Sequence, residues 1–515
     1  MSRPLGLAAL GLTTPVGTGA GAVADALFAG TRDGLRPHSG FVPGRAVHVG
    51  SVDALLPPVP AGLETYDCRN NRLLLLALEQ IRDAVETAAA RHGRHRIAVI
   101  IGTSTSGMAE AEAGFAAMRR DGAWTGPFHY DQLATGGPAE FAARALDLPG
   151  PAYTVATACS SSGKVFASAR RLIRAGLCDA AVVGGSDTLC GTTLGGFSAL
   201  EAVSAGLCNP FSANRDGINI GEAAAVFLLT AEDAPVRLLG VGESSDAHHV
   251  SAPDPEGHGA LAAMRAALDD AGLTPSDIAY VNLHGTATAL NDSMEGKAVH
   301  ALFGDATPCS STKAMTGHTL GAAGACEAAF LWLALNPAHN PDGRLPPHLW
   351  DGAPDPEIPP LNLIGPGATF SGGLPAGPAA MLSNSFAFGG SNVALVLGRG
   401  NGDERVSVAH RGSAAARAAD DPAGRGGRTG GRPLRVGADR AGRGALRGDG
   451  AGRPGPCCRG VDGADLRRSG RGRGQGGRRR RPSRAAAGHA RLPRLRSLVR
   501  HRRAAGGVGG AGLPG

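Results

Sequence analysis

"YTVATACSSSGKVFASARRLIRAG", residues 153–176, decides how the rest of the chain is read. A β-branched start gives way to small residues and then to an amphipathic run. That pattern predicts a strand, a sharp turn and a helix beginning around Cys159. The Gly163-Lys164 pair raises one reading, a phosphate loop of the form G-x-x-x-x-G-K-[ST]. Ala158 stands where its first glycine belongs and Val165 where its Ser/Thr belongs, so that reading fails. The other reading is a cysteine nucleophile. A helix N-terminus presents unpaired N–H groups and partial positive charge, which favours a thiolate and predicts a lowered thiol pKa. On this stretch alone, a buried cysteine capping a helix is an equal alternative.

Outward from Cys159, short β-branched runs alternate with helical stretches up to residue 400. Candidate strands are Arg96–Ile101, Ala180–Gly184, Ala225–Leu229, Ile278–Leu283 and Val393–Leu397, and MSRPLGLAALGLTTPVG reads as a first strand and turn. Candidate helices are Asn71–Ala90, Gly163–Ala175, Ala260–Ala271 and Gly321–Leu335. This is an α/β pattern with largely buried strands. "RIAVIIGTSTSGMAEAE" near residue 96 echoes "DIAYVNLHGTATALNDSME" near 277. Such an echo is what a duplicated α/β unit leaves behind. The expected division is 1–235, 236–400 and 401–515.

The bulk charge of +7 describes no part of the chain. Residues 401–515 hold 27 Arg, no Lys and 8 acidic residues, whereas residues 1–400 hold 24 basic and 36 acidic, a balance of −12. The acidic part gives no case for nucleic-acid binding. The tail has 28 Gly and lacks Phe, Tyr, Trp, Ile and Met, so it cannot bury a core and disorder is expected. It admits two readings. One is an Arg/Gly tail for nucleic acid, against which stands the lack of interleaved aromatics. The other is a frame-shift product, since Arg, Gly, Ala and Pro without Lys or Ile is what a GC-rich gene yields out of frame. Seven cysteines before residue 400 form no C-x-x-C pair, which points away from a disulfide framework or zinc site. No run approaches a membrane span, and the expected location is cytoplasmic.

Two more stretches carry chemistry. "HGTATALNDSMEG", 284–296, puts His284 directly after an apolar strand, where α/β active sites gather. "SSTKAMTGHTLGAAGACEA", 310–328, carries Lys313, His318 and Glu327 into an apolar helix, in a chain with three lysines before residue 400. Each alone also fits a bland reading: a turn histidine, a surface lysine.

Taken in order with "NPFSANRDGINIGEAAA" (209–225) and "LSNSFAFGGSN" (382–392), these stretches resemble the beta-ketoacyl-[acyl carrier protein] synthases of the thiolase superfamily. The resemblance covers about residues 5–398. It implies a thiolase-like fold of two similar α/β halves in five layers, α-β-α-β-α. Cys159 matches the acyl-accepting nucleophile. His284 and His318 match the histidines that assist decarboxylation, Lys313 the lysine of the motif and Glu327 the acid that orients it. Phe386 matches the gating phenylalanine, and the N–H groups of Cys159 and Phe386 the oxyanion hole. Thr105, in the loop Gly102–Met108, is a candidate for the acyl pocket. The implied reaction is decarboxylative condensation of malonyl carrier protein with an acyl group on Cys159, without metal or other cofactor. The implied partners are acyl carrier protein and either a second copy or a cysteine-lacking chain-length-factor homologue. No membrane or nucleic-acid partner is expected. Ala287, Ile218 and Ala387 depart from the family's usual Gly, Phe and Gly. "DTLC", "GFSALEAVS" and "RNNRLLLLAL" look like the synthases of aryl-polyene and related polyketide pathways.

Overall fold

Two sets of five strands repeat one order. In the first, Leu5–Thr14, Ala223–Thr230, Ala180–Asp187, Ile97–Gly102 and Ala152–Val155 lie side by side. In the second the order is Val236–Ser245, Ser391–Arg399, Ala380–Ala387, Ile278–Asn282 and Pro308–Ser310, with the short strand Asn362–Leu363 at the edge. Numbered within each set, both run 1-5-4-2-3. In both, the first two junctions are antiparallel and the next two parallel. The sets join where their first strands pair, Leu5 opposite Leu238 and Gly6 opposite Arg237. The computed structural model describes residues 4–122, 124, 128–370 and 379–400. The expectation of a disordered 401–515 lies outside the described residues.

The sequence echo falls on equivalent strands, Ile97–Gly102 and Ile278–Asn282, each the second of its set. The third strands match too. Ala152–Val155 leads through Cys159 into the helix Ser161–Arg174, and Pro308–Ser310 leads through Lys313 and His318 into Ala323–Leu335. These two helices lie between the sheets. A helix enclosed on all sides must be apolar all round. "AGACEAAFLWLAL" is, except for Glu327, and each of its residues is buried. On the outer faces, Arg69–Glu79 and Gly137–Ala145 cover the first set, and His258–Ala271 and Ala289–Phe303 the second. The result is the five-layer α-β-α-β-α arrangement that the resemblance implied.

The central helices cross at glycines. A Cβ on Gly324 would lie 2.6 Å from Gly163 N, and one on Gly163 would lie 2.7 Å from Val393 Cγ1. Beside the crossing, Ala325 N–H donates to Ser162 Oγ at 2.9 Å, which ties the Cys159 turn to the helix of Glu327.

The stretch Asn71–Ala90 is not one helix but two, Arg69–Glu79 and Arg82–His92. Gln80 breaks it because its amide serves the first strand: Leu12 N–H donates to Gln80 Oε1 at 3.0 Å. A second, three-stranded sheet, Leu35–Val42, Arg45–Gly50 and Ile220–Gly221, has no counterpart in the sequence reading. Among the described residues no helix is long and apolar enough to cross a membrane.

Candidate active site

Cys159 sits one residue before Ser160, the N-cap of the helix Ser161–Arg174. The turn is sharp because Ala158 adopts φ +52°, a left-handed conformation that costs an alanine about 1–2 kcal/mol. The serines hold it. Ser160 Oγ donates to Thr157 O at 2.9 Å and Ser161 Oγ to Ala158 O at 2.6 Å, while Thr157 N–H donates to Ser161 Oγ at 2.9 Å. All three serines are fully buried. They are therefore the fastening of the turn.

The second set of strands brings the other groups to the same point. His318 Nε2 lies 2.9 Å from Cys159 Sγ. The rings of His284 and His318 stand edge to face, centroids 5.3 Å apart. Lys313 Nζ lies 3.3 Å from His284 Nδ1 and forms an ion pair with Glu327 Oε1. Five of the sequence-derived residues, Cys159, His284, Lys313, His318 and Glu327, thus form one chain of contacts. All are buried.

Backbone partners hold the two histidines in place. His284 N–H and Gly285 N–H each donate to Glu295 at 2.7 Å. Asp292 accepts from Phe211 N–H at 2.8 Å and from Ala287 N–H at 3.2 Å. The "ND..E" part of the motif therefore caps the loop of His284. His318 N–H donates to Asn219 O at 2.6 Å and its carbonyl accepts from Gly221 N–H at 2.9 Å, so "INIGE" positions it as a strand would. The sequence reading quoted both motifs without seeing what Asp292, Glu295 and Asn219 hold.

Electrostatics follow from burial. Desolvation, then Lys313 and then the other histidine, drive His284 well below the usual histidine value; desolvation and Lys313 do the same to His318. Both rings are neutral at pH 7. An ammonium donating to His284 Nδ1 leaves the ring proton on Nε2. Burial raises Glu327 above the usual carboxyl range, against the pull of Lys313. The thiol departs from expectation. Burial pushes Cys159 up to about 12, with Lys313 opposing. The helix N-terminus does not overcome the loss of water, and the resting group is a thiol hydrogen-bonded to imidazole.

The remaining sequence-derived residues are placed differently. Phe386 is 6% exposed in the strand Ala380–Ala387, its ring 6.2 Å from that of His284. Phe388 is 40% exposed, in the turn after that strand, with Gly389 and Gly390 at φ +78° and +72°. It leans on Phe197, centroids 5.5 Å apart. Thr105 is buried and its hydroxyl donates to Asp187 at 2.9 Å. Asp187 also accepts from Thr103 Oγ1, Ser104 N–H and Gly321 N–H, which fixes the Gly102–Met108 loop to the His318 loop. Thr105 does not line the cavity at Cys159. Of the three departures, Ile218 and Ala387 do line it, while Ala287 packs beneath it on Cys208 and Ala314.

That cavity holds about 430 Å³ and ends at Cys159, His284, His318 and Phe386. Thr286, Thr288 and Phe388 also line it. The donor atoms of Cys159, His284 and His318 lie within 4.8 Å of one another, the span of a small metal site. Coordination there would break the His318–Cys159 hydrogen bond.

A buried thiol paired with imidazole, two neutral histidines and a lysine–glutamate pair, held between duplicated α/β halves, define a thiolase-like condensing enzyme. Comparison with known proteins agrees. Residues 67–234 match the model of the beta-ketoacyl synthase N-terminal domain and residues 236–347 that of its C-terminal domain. The 3-oxoacyl-[acyl-carrier-protein] synthase 2 of Staphylococcus aureus is 33% identical over 360 residues, covering 64% of this chain and 84% of the relative. A solved ketosynthase (ApeO), in complex with its chain length factor (ApeC) from Xenorhabdus doucetiae, is 46% identical with a TM-score of 0.72. The match covers 77% of this chain and 98% of that one. The ishigamide ketosynthase/chain length factor is 25% identical, with a TM-score of 0.68 over 78% of this chain and 100% of that one. The chain belongs to the beta-ketoacyl synthase family and is an acyl-transferring, carbon–carbon bond-forming enzyme.

Proposed function

We propose that the chain extends a polyketide or polyene acyl chain by two carbons per turn, working beside a chain-length-factor homologue. The observation that carries the pathway and partner is the 46% identity, across 98% of its length, to a ketosynthase solved with its chain length factor. The aryl-polyene reading of "DTLC" and "RNNRLLLLAL" points the same way. The carrier protein delivers both substrates. We read 1–235 and 236–400 as the two halves, and the cytoplasm as the location.

Acylation comes first. His318 Nε2 takes the Cys159 proton as sulfur attacks the acyl thioester, and the proton passes to the departing carrier thiolate. The N–H of Cys159 and an N–H from the Phe386–Phe388 segment stabilise the oxyanion. Malonyl carrier then enters. Its thioester oxygen accepts from His284 Nε2–H, with the neutral His318 ring beside it. Carbon dioxide leaves, and the electron pair of the broken C–C bond becomes an enolate that the His284 N–H stabilises. Neutral imidazoles are too weakly acidic to quench the carbanion, which instead attacks the Cys159 thioester. Cys159 leaves as thiolate and takes a proton from solvent water, the one proton that the overall condensation consumes. Lys313 and Glu327 position His284: the ammonium fixes its tautomer and the carboxylate fixes the ammonium. Phe388 rather than Phe386 is the gate, because a turn with two left-handed glycines can swing and a paired strand cannot.

The test is Cys159→Ala. Elongation disappears while malonyl carrier protein still loses carbon dioxide to give acetyl carrier, since the histidines remain. Mass spectrometry of the carrier reads both. Full elongation by the variant would refute the nucleophile assignment.

A further inference from the structure

We infer that Lys313 has a second task besides orienting His284: it keeps zinc and similar thiophilic divalent ions out of the Cys159 cluster. One sulfur and ring nitrogens of two histidines lie within 4.8 Å of one another there. Cys159 Sγ and His318 Nε2, 2.9 Å apart, need to separate by under about 1 Å to match the donor spacing of a tetrahedral zinc ion. The cavity ends on the cluster and leaves a fourth position for water. In donor type and spacing this is a zinc site, and an ion bound in it ties up the sulfur.

Two properties of Lys313 work against the ion. The first is the proton it fixes. Its Nζ lies 3.3 Å from His284 Nδ1. With the ammonium donating to Nδ1, the ring proton sits on Nε2. One nitrogen then accepts from Lys313 and the other carries hydrogen, so His284 has no free lone pair for a metal. Cys159 and His318 remain, two ligands where a protein zinc site has three or four. The second property is charge. Zinc displaces the thiol proton: Cys–SH and Zn2+ give Cys–S–Zn+ and a proton, which leaves to water through the cavity. Lys313 and Glu327 already cancel in their ion pair. One positive charge is therefore left over among groups that are all buried, where an unpaired ion is costly. Without the lysine, Glu327 offsets that charge, and the His284 proton can move to Nδ1 and leave Nε2 free to ligate. The Lys313–Glu327 pair thus gives the site a protection that two apolar side chains of the same volume could not.

The experiment compares the full parent chain with Lys313→Met and needs no substrate. Iodoacetamide alkylation of Cys159 is followed at graded zinc concentrations. Peptide mass spectrometry separates Cys159 from the other cysteines of the chain. Half-protection of Lys313→Met comes at a zinc concentration at least about 100-fold below that of the parent, the scale set by like charges a few ångströms apart. EDTA restores alkylation. Cadmium gives Lys313→Met a thiolate-to-metal absorption that Lys313→Met/Cys159→Ser lacks, a signature that a disturbed fold does not produce. Equal zinc protection in the two chains, or a folded Lys313→Met chain that gains none, overturns the exclusion. The parent alone supplies a further test, which stands even where the variant does not fold. Its Cys159 stays open to iodoacetamide at about 10 µM zinc, and protection there overturns the proposal too.

Discussion

Cys159 shows two opposed effects on one sulfur. The helix start favours thiolate, worth a few tenths to about 1 kcal/mol when exposed. Burial disfavours it by more, and carries the thiol up to about 12. The consequence is measurable by alkylation with iodoacetamide. Below its pKa a thiol's anionic fraction grows tenfold per pH unit, so the rate at Cys159 climbs steadily from pH 7 to pH 9. A plateau below pH 8 would show that the thiolate is the resting form. The residues that meet at Cys159 drew notice in the sequence by type and place: a lysine among three before residue 400, a histidine directly after an apolar strand, a cysteine before serines. What was not legible is which phenylalanine of "SFAFGG" is free. That depends on where the strand ends, and it ends at Ala387, between the two. Ala287 shows the same limit. Its φ of +66° costs about 1–2 kcal/mol in an alanine, partly offset by burying its methyl on Cys208 and Ala314, worth roughly 0.8 kcal/mol. Spacing alone reveals neither term.

At the scale of elements, the two central helices set the distance between the halves. Gly163 and Gly324 let them touch, and with them Ser162 and Ala325 N–H. Gly324→Ala places a methyl against Gly163 backbone, which cannot yield as a side-chain end could. The expected loss is about 1–3 kcal/mol of stability. Because the same crossing sets Cys159 against the helix of Glu327, acylation slows as well. Denaturant unfolding and single-turnover acylation check the two effects, and an unchanged midpoint would show that the helices separate freely. Element type was readable where periodicity was strong, as in the helices Ser161–Arg174 and His258–Ala271. It failed at Gln80, where a tertiary hydrogen bond to Leu12 interrupts a helical pattern that is locally sound. The strand Leu35–Val42 is mostly exposed and so has no apolar alternation to betray it.

For the whole molecule the governing fact is where the sheet closes. Ser391–Arg399 lies between Val236–Ser245 and Ala380–Ala387 and pairs with both along its length, Arg399 opposite Val236 and Gly398 opposite Ala380. Gly400 N–H still donates to Pro235 O at 2.8 Å. A chain cut after Gly400 therefore keeps each ladder bond of the described strands, along with Cys159, His284, Lys313 and His318. It also changes the formal charge from +7 to −12. Truncation after Gly400 is expected to leave the melting midpoint and the rate of Cys159 acylation as they are, while retention on heparin is lost. Truncation after Gly390 removes an interior strand, exposes both neighbours' unpaired N–H and C=O groups, and gives a chain that does not fold. Calorimetry of the two truncated chains separates these outcomes. Loss of acylation in a folded 1–400 chain would give residues 401–515 a part in the reaction; its retention assigns the condensation to the acidic part alone.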